Sequence, residues 1–121
     1  MPLRELSRRR APRVSVTLAG TLRGRSPRPV TVVDLSLGGC LLRSGAPLDV
    51  GSIHDLELPL AGSALLAKAR VTESSRDGTA AALGAPERFL VGLAFVQLKA
   101  QDQARLRAFL DEEARRCARS R

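Results

Sequence analysis

Aromatic side chains are scarce in this chain, which has no Trp, no Tyr and only three Phe among 121 residues. Any core must therefore be aliphatic, and the stacking platforms typical of single-strand nucleic-acid binding domains are missing. No apolar run of about 18 residues occurs, so we expect no membrane span. The first residues, 1–6, include no apolar stretch of the kind found in secretion signals, and we expect a cytoplasmic protein.

Groups that carry catalysis or bind metals are also few. Histidine occurs once, at His54, with no nucleophile or orienting partner at a recognisable spacing. Cys40 and Cys117 lie far apart and lack any metal-ligand spacing. A glycine-rich phosphate loop is missing as well. We therefore expect no enzyme activity, no catalytic residue, no metal and no cofactor, and we expect both thiols to be reduced.

Positive charge is abundant, and it is concentrated at one end. The chain has 20 basic and 12 acidic residues and a formal net charge of +8. The first 30 residues contain eight arginines against one acid, Glu5, so they carry +7 of this charge. An arginine-rich segment favours a polyanion, a nucleotide or an acidic partner, because the guanidinium forms bidentate bonds with phosphate.

Period-two alternation of apolar residues predicts a series of short strands from Val14 onward. The predicted strands cover residues 14–18, 30–35, 40–42, 53–60, 64–74 and 89–98, with a hairpin connection over 76–88. The alanine-rich stretch 64–69 could also form a helical turn. Short strands at this spacing are typical of a sandwich or a barrel.

From Ala100 the apolar spacing lengthens, which predicts an amphipathic helix over about 100–118. Its apolar stripe contains Leu106, Phe109, Leu110 and Cys117. Arg105, Arg107, Asp111, Glu112, Arg115 and Arg116 are expected to face solvent, and the acidic residues 111–113 to balance the last two arginines. We thus expect a basic N-terminal arm over residues 1–13 and one β-rich domain over residues 14–121, closed at one opening or face by the helix.

The arm is the first candidate binding segment. Its arginines are Arg8, Arg9, Arg10 and Arg13. Pro12 stiffens the segment and favours an extended Ala11, which would hold Arg9 and Arg13 at a fixed separation. A charge run of this kind is otherwise typical of a solvated tail, so the residues alone leave both interpretations open.

The second candidate is the segment from Asp34 to Gly39. In an extended chain Asp34 and Ser36 would point to one side, with Leu35 and Leu37 on the other. A paired carboxylate and hydroxyl could bind the edge of a purine, and the donors of guanine suit a carboxylate best. Gly38 and Gly39 would let a ligand approach the backbone closely. The alternative is simply a strand followed by a glycine turn.

These two segments match, in order, the motifs RxxxR (Arg9–Arg13) and [D/N]xSxxG (Asp34–Gly39). Both motifs are those of PilZ domains, and the chain therefore resembles the PilZ domain family. The resemblance extends to residues 89–98, which are similar to the family's late strand, and to the terminal helix. It implies a mainly β fold, namely a six-stranded antiparallel β-barrel of the split-barrel type with a C-terminal α-helix and a flexible N-terminal arm.

The resemblance also implies a receptor for the bacterial second messenger cyclic di-GMP. It assigns phosphate binding and guanine stacking to Arg9 and Arg13, with Arg8 and Arg10 beside them. It assigns contacts with guanine and the backbone to Asp34, Ser36 and Gly39, next to Gly38. The arm is expected to close over the nucleotide and to signal to a protein partner whose identity the sequence does not give.

Two other functions stay open at this stage. A basic barrel could bind nucleic acid, although the scarcity of aromatic side chains disfavours this. Steep salt dependence with long oligonucleotides and indifference to cyclic di-GMP would favour it. Alternatively, the chain is a protein-interaction module of the PilZ type that ignores nucleotides and uses its barrel face or its helix.

Overall fold

The structure, a computed structural model, describes residues 13–60, 62–78 and 88–119, with side chains up to Arg116. In chain order its elements are β1 (Val14–Arg23), β2 (Arg28–Leu35), β3 (Gly39–Ser44), β4 (Ile53–Leu60), β5 (Ser63–Arg76), β6 (Phe89–Gln97) and α1 (Ala100–Arg119). The prediction of six strands followed by a terminal helix is confirmed. Apart from Arg13, the predicted arm lies outside the described residues.

The six strands form a closed antiparallel barrel in the order β1-β2-β3-β6-β5-β4. The barrel closes where β1 meets β4, with Thr21 opposite Glu57 and Arg23 opposite Asp55. Each strand is thus paired on both sides, which protects the backbone from pairing with another chain. The predicted antiparallel barrel is confirmed, and the sandwich alternative is excluded.

Strand β1 is longer than the alternation of apolar residues predicted. It continues past Leu18 to Arg23, because its inward positions continue with Gly20 and Leu22, both of which are buried. The alanine-rich start of β5 is a strand and not a helical turn, since residues 63–70 pair with β4 without interruption.

The barrel interior is aliphatic, as the scarcity of aromatic residues required. The side chains in it that are fully inaccessible to solvent include Val32, Leu35, Leu42, Leu56, Leu58 and Leu65. Burial of one such side chain contributes roughly 1.5–3 kcal/mol to folding. Phe89, Phe95 and Phe109 are only partly buried and pack against this cluster. The core is therefore held together by leucine and valine, with phenylalanine at its border.

Helix α1 covers the barrel through Leu106 and Leu110, which are buried and lie one turn apart. This confirms part of the predicted apolar stripe, whereas Cys117 lies outside the described side chains. The predicted acid–arginine pairs on the other side of the helix are present, Glu112–Arg115 at 3.0 Å and Glu113–Arg116 at 3.5 Å. Within the described residues, no helix is both long enough and apolar enough to cross a membrane.

Arg105 was predicted to face solvent, but its side chain instead binds the barrel. Its guanidinium donates hydrogen bonds to the backbone carbonyls of Leu60 and Ser63, both at 2.9 Å, and of Ala64 at 3.3 Å. The Asp102 carboxylate lies 3.3 Å from the same guanidinium. These carbonyls lie where β4 turns into β5, and the long arginine side chain reaches them from the helix. Arg105 thereby fastens the helix to one end of the barrel.

Candidate functional site

The outward direction of Asp34 depends on an irregularity in β2. Val30 and Val32 face the interior, so strict alternation would also place Asp34 inside the barrel. The pairing with β3 shifts between Val32 and Asp34, which leaves Val33 as an extra, bulged residue. Leu35 consequently turns inward and is fully buried, whereas 26% of the Asp34 side chain is exposed. The bulge thus delivers a carboxylate to the outer surface.

The chain leaves β2 in a tight turn, Ser36–Gly39, that is closed by its own hydrogen bonds. The backbone N–H of Ser36 donates to the carbonyl of Gly39 at 2.9 Å, and the Ser36 hydroxyl donates to the same oxygen at 3.3 Å. Gly38 N–H donates to the Ser36 hydroxyl at 3.2 Å. Ser36 is buried. The expectation of an extended Ser36 alongside Asp34 is therefore wrong, since the strand ends at Leu35 and the hydroxyl is used inside the turn.

The two glycines fasten this turn to β6. A Cβ atom on Gly39 would collide with the carbonyl oxygen of Leu93 and would lie 3.2 Å from the Cα of Ala94. The carbonyl of Gly38 accepts a hydrogen bond from the N–H of Phe95 at 2.9 Å. Close approach therefore does require a glycine, as predicted, but at Gly39 the approaching group is a neighbouring strand. Gly38 is the exposed glycine of the pair.

Arg13 and Asp34 bring the two sequence motifs together. Arg13 Nη1 lies 3.6 Å from Asp34 Oδ2, and 72% of the arginine side chain is exposed. An ion pair this exposed is weak, so it holds neither side chain firmly. Of the other predicted site residues, Ser36, Gly38 and Gly39 form the adjoining turn, whereas Arg8, Arg9 and Arg10 lie outside the described residues.

Cys40 lies directly after the turn and is oriented toward the packed side of the sheet. Burial, and secondarily the nearby carboxylate of Asp34, raise the pKa of the Cys40 thiol to about 12. A thiol with this pKa stays protonated at neutral pH and is a poor nucleophile. Cys40 is a free thiol, and its environment suits a structural role.

His54 is the one histidine of the chain, and a serine hydroxyl lies within hydrogen-bonding distance of it. His54 Nε2 lies 2.9 Å from the Ser52 hydroxyl, at the start of β4. Among the side chains that the structure describes, no group of three or more His, Cys, Asp and Glu residues could hold a metal ion.

One charged side chain that the sequence analysis did not single out lies two strands from the turn. Gly39 of β3 pairs with Ala94 of β6, and Ala94 pairs with Arg70 of β5. Ala69 and Val71 on either side of Arg70 are buried, so Arg70 faces outward. Two strand spacings place its Cα roughly 10 Å from the turn. Alternation in β5 predicts the outward direction, but only the strand order reveals the proximity.

The closed barrel thus brings Arg13, the last residue of the first motif, and Asp34, the first residue of the second, together on one outer face. The family model "PilZ domain" matches residues 7–112, so this chain belongs to the PilZ domain family. The predicted family is thus confirmed. No match is found among curated proteins.

Solved structures with the same fold include the following three proteins. The inhibitor of motility MotI/DgrA of Bacillus subtilis is 21% identical, with a TM-score of 0.76 over 100% of this chain and 58% of its own. MrkH of K. pneumonia in complex with c-di-GMP is 20% identical, with a TM-score of 0.76 over 93% and 55%. The PilZ domain of YcgR from Escherichia coli with c-di-GMP is 20% identical, with a TM-score of 0.68 over 92% and 97%. This chain thus spans little more than half of the first two proteins.

Proposed function

We propose that this chain is a receptor domain for cyclic di-GMP that binds the nucleotide without a catalytic step. The observation that carries the proposal is the position of Arg13 beside Asp34, 3.6 Å apart, which joins the two motifs at one point of the barrel surface. Membership of the PilZ domain family supports it. So does the shared fold with MrkH and with the YcgR PilZ domain, both solved with c-di-GMP.

Asp34 is the residue suited to the guanine base. A carboxylate offers acceptor oxygens only, and guanine presents a ring N–H and an exocyclic amine side by side as donors. The Asp34 side chain is 26% exposed, so a base can reach it while the barrel surface excludes part of the surrounding water. Hydrogen bonds to a charged group in such a position are stronger than those between neutral groups.

The arm arginines are suited to the phosphates. Arg13 pairs with Asp34, and that exposed pair is worth about 0–1 kcal/mol. A cyclic dinucleotide offers phosphate to Arg13 and base donors to Asp34, so both groups exchange a weak contact for charge-assisted ones. In this proposal Arg8, Arg9 and Arg10 add phosphate and base contacts, and the rearranged arm signals to a protein partner.

The turn contributes mainly by its shape. The Ser36 hydroxyl is hydrogen-bonded within the turn, and Gly39 packs closely against β6. Gly38 is exposed, and its small size leaves room for a ligand beside Asp34. We therefore propose direct contact for Asp34 and Gly38, and a supporting role for Ser36 and Gly39.

Isothermal titration calorimetry with cyclic di-GMP on the full chain tests the proposal. Asp34→Ala and Arg13→Ala should each weaken binding roughly 10-fold or more, because each leaves charged groups of the ligand or protein without a partner. Asp111→Ala and Arg25→Ala are matched controls, since both residues are exposed. Neither control should change the affinity more than about twofold.

Absence of binding by the unmodified chain at micromolar concentration would contradict a nucleotide receptor. Tight, strongly salt-dependent binding of long oligonucleotides together with indifference to cyclic di-GMP would instead favour nucleic-acid binding. A protein partner captured equally well by the chain and by its Asp34→Ala variant, again without nucleotide binding, would favour the protein-interaction module.

A further inference from the structure

The outer surface between the turn and Arg70 is almost free of side chains. Gly39 has none, and next to it in the same row lies Ala94, which contributes a single methyl group. In the adjacent row Gly92 is covered, since a Cβ there would lie 2.8 Å from Cγ of Glu73. In the row that joins the turn to Arg70, the only side chain between buried Gly39 and exposed Arg70 is therefore the methyl group of half-buried Ala94.

Arg70 is the uncommitted cation of this part of the barrel. On the same strand Lys68 pairs with Asp55 at 3.1 Å, and on β1 Arg23 lies 3.8 Å from Glu57. Arg70 forms no ion pair with any residue that the structure describes. Because neighbouring cations are paired with carboxylates and Arg70 is not, its guanidinium can bind an anion or the acceptor edge of a base.

The surroundings of Arg70 favour a base over a phosphate. Its partner on β4 is Ile53, which is 49% exposed, and its partner on β6 is Ala94. An apolar group on each side offers a surface for the face of a flat ring. Arginine also matches guanine in particular, because its two N–H groups bind O6 and N7 together.

We propose that Arg70 is a specificity-determining residue of this nucleotide site, binding the O6 and N7 edge of a guanine that lies over Ala94. The inference rests on the proposed function and deepens it. Asp34 binds one guanine from the arm side of the turn, and Arg70 binds a guanine from the sheet side, roughly 10 Å across from Gly39. The two anchors together span the two bases of one cyclic dinucleotide.

Calorimetry on the full chain with cyclic di-GMP tests this through three variants. Arg70→Ala should weaken binding roughly 10-fold or more, the usual effect of losing a bidentate contact with guanine. Arg70→Lys should recover only part of the loss, because an ammonium keeps the charge but cannot form the paired hydrogen bonds. Arg25→Ala removes one exposed arginine from the turn between β1 and β2 and should stay within about twofold of the unmodified chain.

The unmodified chain provides a second measurement that needs no variant. In a methyl NMR titration with cyclic di-GMP, the Ala94 methyl resonance should shift and saturate with the binding curve. The Ala64 methyl is the control, because it lies six residues from Arg70 along the same strand, about 20 Å away. It should not shift.

The outcomes separate the two proposals. Binding by the unmodified chain combined with equal affinities of Arg70→Ala and Arg25→Ala would overturn the role of Arg70 and leave the receptor function intact. Full recovery in Arg70→Lys would overturn the guanine contact, since charge alone would then suffice. No binding by the unmodified chain would overturn both proposals.

Discussion

Two neighbouring regions of this barrel use their polar groups in opposite ways. In the turn Ser36–Gly39, hydroxyl, amide and carbonyl groups bind one another or β6. In the charged rim around it, formed by Arg13, Asp34 and Arg70, the only described contact is one exposed ion pair at 3.6 Å. The polar groups of the turn are thus satisfied internally, whereas the charged groups of the rim leave most of their hydrogen-bonding capacity unused within the described residues.

The residues of a single sequence motif therefore have two different roles. The [D/N]xSxxG pattern contains Asp34, Ser36 and Gly39, which sequence alone treats as one ligand-binding group. In the structure Asp34 belongs to the rim, and the other two build the support beneath it. Substitutions in the turn should therefore affect folding first, and substitutions in the rim should affect binding first.

The largest expected effect on stability comes from Gly39→Ala. The added methyl would overlap the carbonyl oxygen of Leu93, a backbone atom that cannot move without disturbing the pairing of β3 and β6. Urea denaturation should reveal a loss of roughly 3 kcal/mol or more in the free energy of unfolding. Gly45→Ala is the matched control, since its Cβ would meet no atom within 4 Å. Equal stabilities of the two variants would contradict the tight fit of the turn.

A smaller effect should distinguish Ser36 from Asp34. Ser36→Ala removes the two side-chain hydrogen bonds that close the turn, so we expect a loss of about 1–3 kcal/mol in the free energy of unfolding. Asp34→Ala removes only the exposed contact with Arg13 and should cost less than about 1 kcal/mol. Urea denaturation measures both, with exposed Ser75→Ala as control. If Asp34→Ala proved the more damaging to stability, the division between turn and rim would be wrong.

Local pattern was sufficient for the fold, since each strand and the helix depend on apolar residues at a short, regular spacing. Val30 and Val32 in β2, and Leu106 and Leu110 in α1, occupy the buried positions that their spacing predicts. Arg105 was misjudged because the carbonyls that it binds belong to a turn more than 40 residues away. Its position on the helix gives no sign of them.

The site was predictable in part for the same reason. Asp34 was singled out from its motif, but the bulge at Val33 that turns it outward has no sequence signal. The role of Ser36 was missed, because the direction of a hydroxyl depends on the turn that it closes. Arg70 could not be found, since it reaches the site only through the pairing of β3 with β6 and of β6 with β5.

The smallest expected effect lies at Cys40, where the packed side of the barrel meets Asp34. Burial and the Asp34 carboxylate raise the pKa of this thiol from 9.0 to about 12 in the folded chain. Between pH 9 and pH 12 the unfolded chain therefore loses a proton that the folded chain keeps, so stability is full below about pH 9 and falls as the pH rises. Few other side chains titrate in this pH range, because the chain has no tyrosine and only two lysines, Lys68 and Lys99.

Urea denaturation at several pH values from 8 to 11 measures this linkage. The Cys40→Ala variant should have a lower free energy of unfolding at pH 8, because the substitution leaves a small cavity. Its free energy of unfolding should then fall less steeply with pH, and the difference in slope should correspond to at most about one proton. Asp34→Asn should also flatten the decline slightly, since it removes the smaller of the two causes while burial persists. Identical slopes in the unmodified chain and in Cys40→Ala would mean that water reaches the thiol. The boundary between the packed turn and the open rim would then lie deeper in the barrel than Cys40.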